Sequence, residues 1–415
     1  MMGAADLVRR TDCRVCGHTG LEEILRLGQS PLANAFLTSP AEFAAEKRFP
    51  LDVYFCDRCG LLQLLDVVNP EILFRHYLYM TGISSTIAKH NREYAQTLTD
   101  LLGLSSSDLV IEIASNDGSL LQCYKALGIR TLGIEPATNL AARATAEGIE
   151  TVNEFFTGAL AESLASRTQP ARVIAANNVL AHVDDPADFL RGCRRLLAED
   201  GLITIEVPYV RALLERVEYD TVYHEHLSYF SVTSILRLAE RANLRAARID
   251  LLPVHGGSIR AYLSRTSGSH DASALAIERD ERAAGGAANL DRHRKLAADT
   301  RKHRDDVRAL LIELRAQGKK VAGYGAPAKG NTLLNYCEID TSLMAYTVDK
   351  NPLKIGLLTP GMHIPVRDVS AIEQERPDYL FILAWNFADE VMEQQAAHRL
   401  RGGKFIVPIP GPTVV

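Results

Sequence analysis

A chain of 415 residues that is 47% hydrophobic and 23% charged has the balance of a globular protein, and its length suggests two or three domains. No apolar run reaches the roughly 18 residues of a membrane helix. The start, Met1-Met2-Gly3-Ala4-Ala5-Asp6, lacks the basic-then-apolar order of a secretory signal, so a cytoplasmic protein with no membrane partner is expected. A net charge of −5 removes the whole-protein electrostatic case for nucleic acid.

Cys13-Arg14-Val15-Cys16 and Cys56-Asp57-Arg58-Cys59 are two CxxC pairs, each followed by glycine. Two intervening residues let both sulfurs of a pair converge on one ion. Four thiolates (Cys13, Cys16, Cys56 and Cys59) predict a closed structural zinc site with no open position for chemistry. A redox role would explain one pair but not two. Ser30–Phe36 reads as a loop, and Phe49–Phe55 reads as a strand leading into the second pair. The remaining cysteines, Cys123, Cys193 and Cys337, lie in apolar stretches and are expected to be buried thiols.

After a helical stretch from Ile87 to Leu102, Leu109–Ile113 reads as a buried strand running into the turn Ala114–Gly118. Strand, tight turn and helix make the first unit of a doubly wound sheet, where ligands sit at strand carboxyl ends. The next strand ends at Glu135, placed to accept ribose hydroxyls. Glu112-x-Ala114-x-Asn116-x-Gly118 resembles the E/D-x-G-x-G-x-G loop of class I methyltransferases that use S-adenosylmethionine (SAM), with alanine and asparagine in place of two glycines. Val173–His182 resembles their fourth-strand motif, which implies Asn177, Asn178 and His182 as cofactor contacts alongside Glu112, Ala114, Asn116, Gly118 and Glu135. Gly201–Val207 is similar to the strand that follows. The glycine-poor turn argues against a dinucleotide, whose pyrophosphate needs a closer backbone approach.

Tyr223-His224-Glu225-His226-Leu227-Ser228-Tyr229-Phe230 concentrates groups suited to acid–base work at neutral pH. It lacks the histidine spacing of a helical H-E-x-x-H zinc site. The whole chain resembles the sugar C-methyltransferases of deoxysugar biosynthesis, which act at C-3 of dTDP-linked keto sugars. The resemblance rests on the cysteine knuckle, the SAM domain, Tyr223–Ser231, Tyr77–Gly82, His255–Arg260 and a C-terminal nucleotide fold. It implies His226 as the base that makes an enolate, with Glu225 orienting it and Tyr223 and Tyr77 holding the sugar or the enolate oxygen. The residues themselves leave His224 and His226 as alternatives for the base.

Val307, Leu310, Leu311 and Leu314 share a helical face, and Gly318 ends that helix. Val321–Thr332 is again strand, glycine turn and helix, followed by strands ending at Asp349, near Ala384 and at Val407. Lys329 and Asn331 in that turn could meet the diphosphate of a sugar nucleotide, with His255, Gly256, Ser258 and Arg260 lining the same cleft. The expected fold is therefore α/β: an N-terminal zinc-binding knuckle (1–75), a central class I SAM methyltransferase Rossmann-like domain (76–265) and a C-terminal second Rossmann-like domain (266–415). The expected function is SAM-dependent C-3 methylation of a dTDP-linked 4-keto-deoxysugar, possibly a 3-amino one, with structural zinc and no nucleic-acid partner. An RNA methyltransferase is disfavoured because no basic–aromatic stretch is present. A non-catalytic zinc scaffold that binds SAM or a nucleotide leaves the Tyr223–Phe230 cluster without a purpose. The sequence assigns no oligomeric state.

Overall fold

The computed structural model describes residues 6–77, 81–83, 85–253, 256–265, 268–283 and 285–415. Near the N-terminus, β1 (Leu7–Arg9), β2 (Glu22–Pro31), β3 (Arg48–Cys56), β4 (Leu61–Leu64) and β5 (Asp66–Val68) form two small antiparallel sheets. Strand β3 alternates buried and half-buried residues, the pattern of a sheet with one face on the core. The stretch read as a loop from Ser30 is strand as far as Pro31 and loop thereafter.

The central sheet contains β6 (Leu109–Ile113), β7 (Arg130–Ile134), β8 (Thr151–Val152), β9 (Ala171–Asn177) and β10 (Leu197–Pro208), all parallel to one another. Every residue of β6 is buried, as a strand with helices on both faces requires. Next in the chain, β11 (Ser228–Tyr229) leaves this sheet and pairs with β4, so a piece of the central region becomes an edge strand of the N-terminal sheet. The chain then returns as β12 (Arg245–Leu252) and β13 (Ser258–Ser264), with β13 antiparallel to β10. The order β12-β13-β10-β9-β6-β7-β8 reverses direction at β6, and the crevice between β6 and β9 is the topological switch point at which open sheets bind ligands.

A helix from Leu290 to Ala316 crosses back to the N-terminal sheet, where His293 stacks on Phe55 with centroids 4.0 Å apart. The C-terminal sheet follows: β14 (Val321–Tyr324), β15 (Thr347–Val348), β16 (Val366–Arg367), β17 (Tyr379–Ile382), β18 (Lys404–Val407) and β19 (Thr413–Val414), in the order β16-β15-β14-β17-β18-β19. One continuous apolar core runs from Val15 through Ile111 and Phe230 to Ile406, so the three regions are packed together. Cys193 and Cys337 are buried thiols, whereas Cys123 is half-exposed, because the face of its helix that holds it points partly outward. No helix among the described residues is long and apolar enough to cross a membrane.

Candidate active site

The cysteine pairs meet. The sulfurs of Cys13, Cys16, Cys56 and Cys59 all lie within 4.8 Å of one another, with Cys13–Cys59 and Cys16–Cys56 both at 3.5 Å. Tetrahedral zinc with bonds of about 2.3 Å separates its sulfurs by about 3.8 Å, so the donor set fits that ion. Gly17 and Gly60 take positive φ angles of 72° and 73°, which turns each knuckle back on itself.

At the switch point, the turn after β6 keeps the shape of a glycine loop without its glycines. Ala114, Asn116 and Gly118 have φ of 54°, 52° and 76°, so the substituted residues bear the left-handed backbone themselves. Glu135 accepts from the amides of Asn116 and Ala137 at 2.7 Å each, and burial lifts its carboxyl to about 6. Glu112 is buried, its Oε2 has no hydrogen-bond partner among the described residues, and burial raises its pKa, reinforced by Asp117 and Glu135. Asp117, not anticipated from the sequence, accepts from the amide of Gly82 at 2.9 Å, and Asn116 Oδ1 accepts from Thr81 at 3.0 Å. Across the crevice, Asn177 Oδ1 and His182 Nε2 are buried with no hydrogen-bond partner among the described residues, and Asn178 turns at φ 56°. SAM brings an ammonium, a sulfonium and a ribose diol. Clustered carboxylates and orphaned polar atoms at a switch point suit that set of groups.

The Tyr223–Phe230 segment separates its two histidines. His226 Nδ1 lies 2.9 Å from the Thr221 carbonyl, which can only accept, so in the neutral ring the proton sits on Nδ1 and Nε2 carries the lone pair. The Tyr223 hydroxyl is 2.7 Å from that Nε2. The His226 ring stacks on His182 at 5.1 Å, and His182 stacks on Phe74 at 5.4 Å. Burial pushes His182 down to about 4, so it is neutral at pH 7. His224 points into the N-terminal sheet, with Nε2 3.3 Å from the Phe49 carbonyl and its pKa lowered by burial to about 4.

Glu225 does not orient His226, as the sequence suggested; the Thr221 carbonyl does. Glu225 is buried and accepts from Asn34 Nδ2 and from the Tyr77 hydroxyl, each at 2.7 Å. Burial raises its carboxyl above the ordinary value, and those donors and the Lys354 ammonium offset this only in part. Asn34 and Lys354 come from the other two regions, so nothing local in the sequence marks them.

The expected substrate residues are dispersed. His255 lies outside the described residues, and a side chain on Gly256 would meet the Glu218 carboxylate at 2.8 Å. Ser258 and Arg260 are buried on β13. Arg260 pairs with its cross-strand partner Glu206, which also sits 3.1 Å from His90 Nε2, because an arginine buried on a central strand needs a counter-charge. Lys329 is half-buried with its ammonium 5.0 Å from the Trp385 ring centroid. Asn331 is buried and donates to the Ala33 carbonyl at 2.7 Å, a contact between regions.

Family models match along the chain: "Putative zinc binding domain" over residues 13–74, "Methyltransferase domain" over 87–248 and "C-methyltransferase C-terminal domain" over 253–410. C-methyltransferase NovU of Streptomyces niveus is 38% identical over 416 residues, covering 99% of this chain and 98% of that one. The chain belongs to this C-methyltransferase family. A ubiquinone biosynthesis O-methyltransferase of Rhodopseudomonas palustris is 26% identical over 178 residues, 43% of this chain and 65% of that protein. The solved structure of the CcbJ methyltransferase from Streptomyces caelestis is 14% identical and covers 43% of this chain and 90% of that one, with a TM-score of 0.33. This C-methyltransferase is thus a SAM-dependent enzyme of the class I fold with an N-terminal zinc-binding domain.

Proposed function

We propose that this C-methyltransferase methylates C-3 of a dTDP-linked 4-keto-deoxysugar, with His226 as the base. The observation that carries the reading is the tautomer of His226: with Nδ1–H on the Thr221 carbonyl, Nε2 is an acceptor beside a phenol. Transfer to carbon needs a nucleophilic carbon, and a C–H beside a ketone becomes one when a base removes its proton and a donor holds the enolate oxygen.

His226 Nε2 takes the C-3 proton while the Tyr223 hydroxyl turns to the ketone oxygen. Tyr77, fixed by Glu225, holds the sugar from the other side. The bound cofactor supplies an electrophilic methyl on a sulfonium sulfur. With SAM bound, the C-3 electron pair would form the new C–C bond to that methyl as its bond to sulfur breaks. Glu112, Ala114, Asn116, Gly118, Glu135, Asn177, Asn178 and His182 are assigned to the cofactor. Lys329, in the first turn of the helix Ala328–Tyr336, is assigned to the diphosphate.

The test is incubation with SAM and a dTDP-3-amino-4-keto-deoxysugar in deuterated water, followed by mass spectrometry. Wild type should add one methyl and exchange the C-3 proton. His226→Asn should do neither, while still binding SAM by calorimetry. Exchange that survives in His226→Asn removes His226 from the role. Absence of both reactions in wild type, with other keto sugars also inert, overturns the substrate assignment.

A further inference from the structure

In a nucleotide-binding sheet, the acid at the end of the second strand and the glycine turn beside it face the ligand. In the C-terminal sheet the acid bonds the turn, as Glu135 bonds the Asn116 amide in the central sheet, but here a buried lysine joins them. Asp349, following β15, accepts from the Ala326 amide at 2.7 Å and from Asn351 at 2.8 Å. Lys354, buried, donates to the Ala326 carbonyl at 2.7 Å, so acid and base clasp the same residue of the turn.

Against this edge lies a loop of the N-terminal region. Asn331 holds the Ala33 carbonyl, the Lys354 ammonium lies 5.2 Å from the Phe36 ring centroid, and Leu37 and Leu358 exchange backbone hydrogen bonds of 3.0 and 2.8 Å. The loop is therefore fastened at Ala33, Phe36 and Leu37. Asn34, between them, reaches the other way to Glu225 at 2.7 Å.

We propose that Asn34 and Lys354 are positioning residues that hold Glu225 as a carboxylate aimed at Tyr77, the nucleotide-fold edge serving as the seat of that arrangement. The inference rests on the reading above in which Tyr77 meets the substrate. Each oxygen of Glu225 receives a donor at 2.7 Å, and donors aimed at a carboxylate favour its charged form. A fully buried carboxylate also needs a counter-charge. The charged and titratable groups acting on it are Tyr77 and Lys354, with Asn34 as a neutral donor; Asp349 acts in turn on Lys354. Lys354, buried and held by the turn, makes no direct ion pair among the described residues, and its charge favours the Glu225 carboxylate from a distance.

The test uses full-length, zinc-loaded protein labelled with 13C at glutamate side-chain carboxyls, with Glu225→Gln identifying the Glu225 signal. Glu225 should be ionised at pH 7 in wild type. Its titration midpoint should rise by about one unit or more in Lys354→Met and in Asn34→Ala, and Lys354→Arg should restore most of the shift. In turnover the same variants should lower kcat roughly tenfold with KM little changed, and the acid limb of the kcat profile should move up with the carboxyl midpoint. An unmoved midpoint in variants that keep wild-type zinc content and melting temperature overturns the proposal, as does a protonated Glu225 in wild type at pH 7. A shifted midpoint in a protein that methylates no sugar nucleotide supports the arrangement and sinks the substrate reading instead.

Discussion

Arg14, between the first two cysteines of the knuckle, donates a 3.1 Å hydrogen bond to the carbonyl of Leu227, the residue after His226. The same guanidinium donates to Gln63 Oε1 at 3.1 Å and to the Leu64 carbonyl, and Asp184 lies 3.3 Å from its Nε. Burial lowers its pKa to about 10, which still leaves it charged at pH 7. The cysteine knuckle and the Tyr223–Phe230 segment thus share one joint.

Arg14→Met should break that joint without removing a zinc ligand. The Leu227 carbonyl keeps the Leu64 amide at 3.0 Å, so the main loss falls on the buried Leu64 carbonyl, at about 1–3 kcal/mol. The variant should bind zinc and SAM, melt several degrees lower and turn over more slowly. Stripping zinc with a chelator should abolish turnover, since unfolding the knuckle releases Leu227 as well. Zinc content, SAM calorimetry and turnover measured on one preparation check this; full activity in zinc-free protein refutes it.

His224 and His226 should part company on substitution. His224→Asn deletes an imidazole packed on Phe49, so it should lower the melting temperature while C-3 proton exchange continues. His226→Asn should cost about 100- to 10,000-fold in exchange and methyl transfer. Exchange rates normalised to folded protein distinguish the two.

Ala114 carries a strain that glycine would relieve. A left-handed backbone costs an L-residue about 1–2 kcal/mol, partly offset by the extra freedom glycine gains in the unfolded chain. Ala114→Gly should stabilise by about 0.5–1 kcal/mol, read as a rise in melting temperature with SAM affinity retained. Asn116→Gly should show less benefit, because it loses the bond from the Thr81 amide.

Glu218 gives a pH signature. It is buried, its Oε1 has no hydrogen-bond partner among the described residues, and burial lifts its carboxyl to about 7 despite Lys329 and Arg216. A folded pKa above the unfolded value of about 4.3 means the fold favours the protonated form. Its contribution is complete below about pH 4.3 and is lost as pH rises through 7. Glu218→Gln cannot ionise, so its stability relative to wild type should grow by on the order of 3 kcal/mol between pH 4 and 8. Chemical denaturation of both proteins across that range measures the difference; a flat difference refutes the assignment.

The sequence showed most clearly what depends on short spacings. The cysteine pairs, the strand Leu109–Ile113 with its turn, and the helix ended by Gly318 are each set by a few consecutive residues. The turn at Ala114 looked weak for lack of glycine, because sequence cannot show that a non-glycine residue accepts positive φ. The partners of Glu225 were hidden for a different reason: Asn34 and Lys354 reach it only through the packing of three regions. Arg260 reads in sequence as one of the His255–Arg260 cleft residues, and only the register of β10 against β13 reveals Glu206 opposite it. The different surroundings of His224 and His226 were hidden as well, because the chain next joins β4, which turns one ring toward the N-terminal sheet and leaves the other against His182.

That joining strand also orders events during synthesis. Residues 61–64 leave the ribosome long before Ser228 and Tyr229, and at about 5–20 residues per second the edge of β4 stays open for many seconds. An unpaired edge invites other chains. Early zinc capture by the two cysteine pairs would keep that edge in native geometry while it waits, so metal supply during translation should govern how much of the enzyme escapes aggregation.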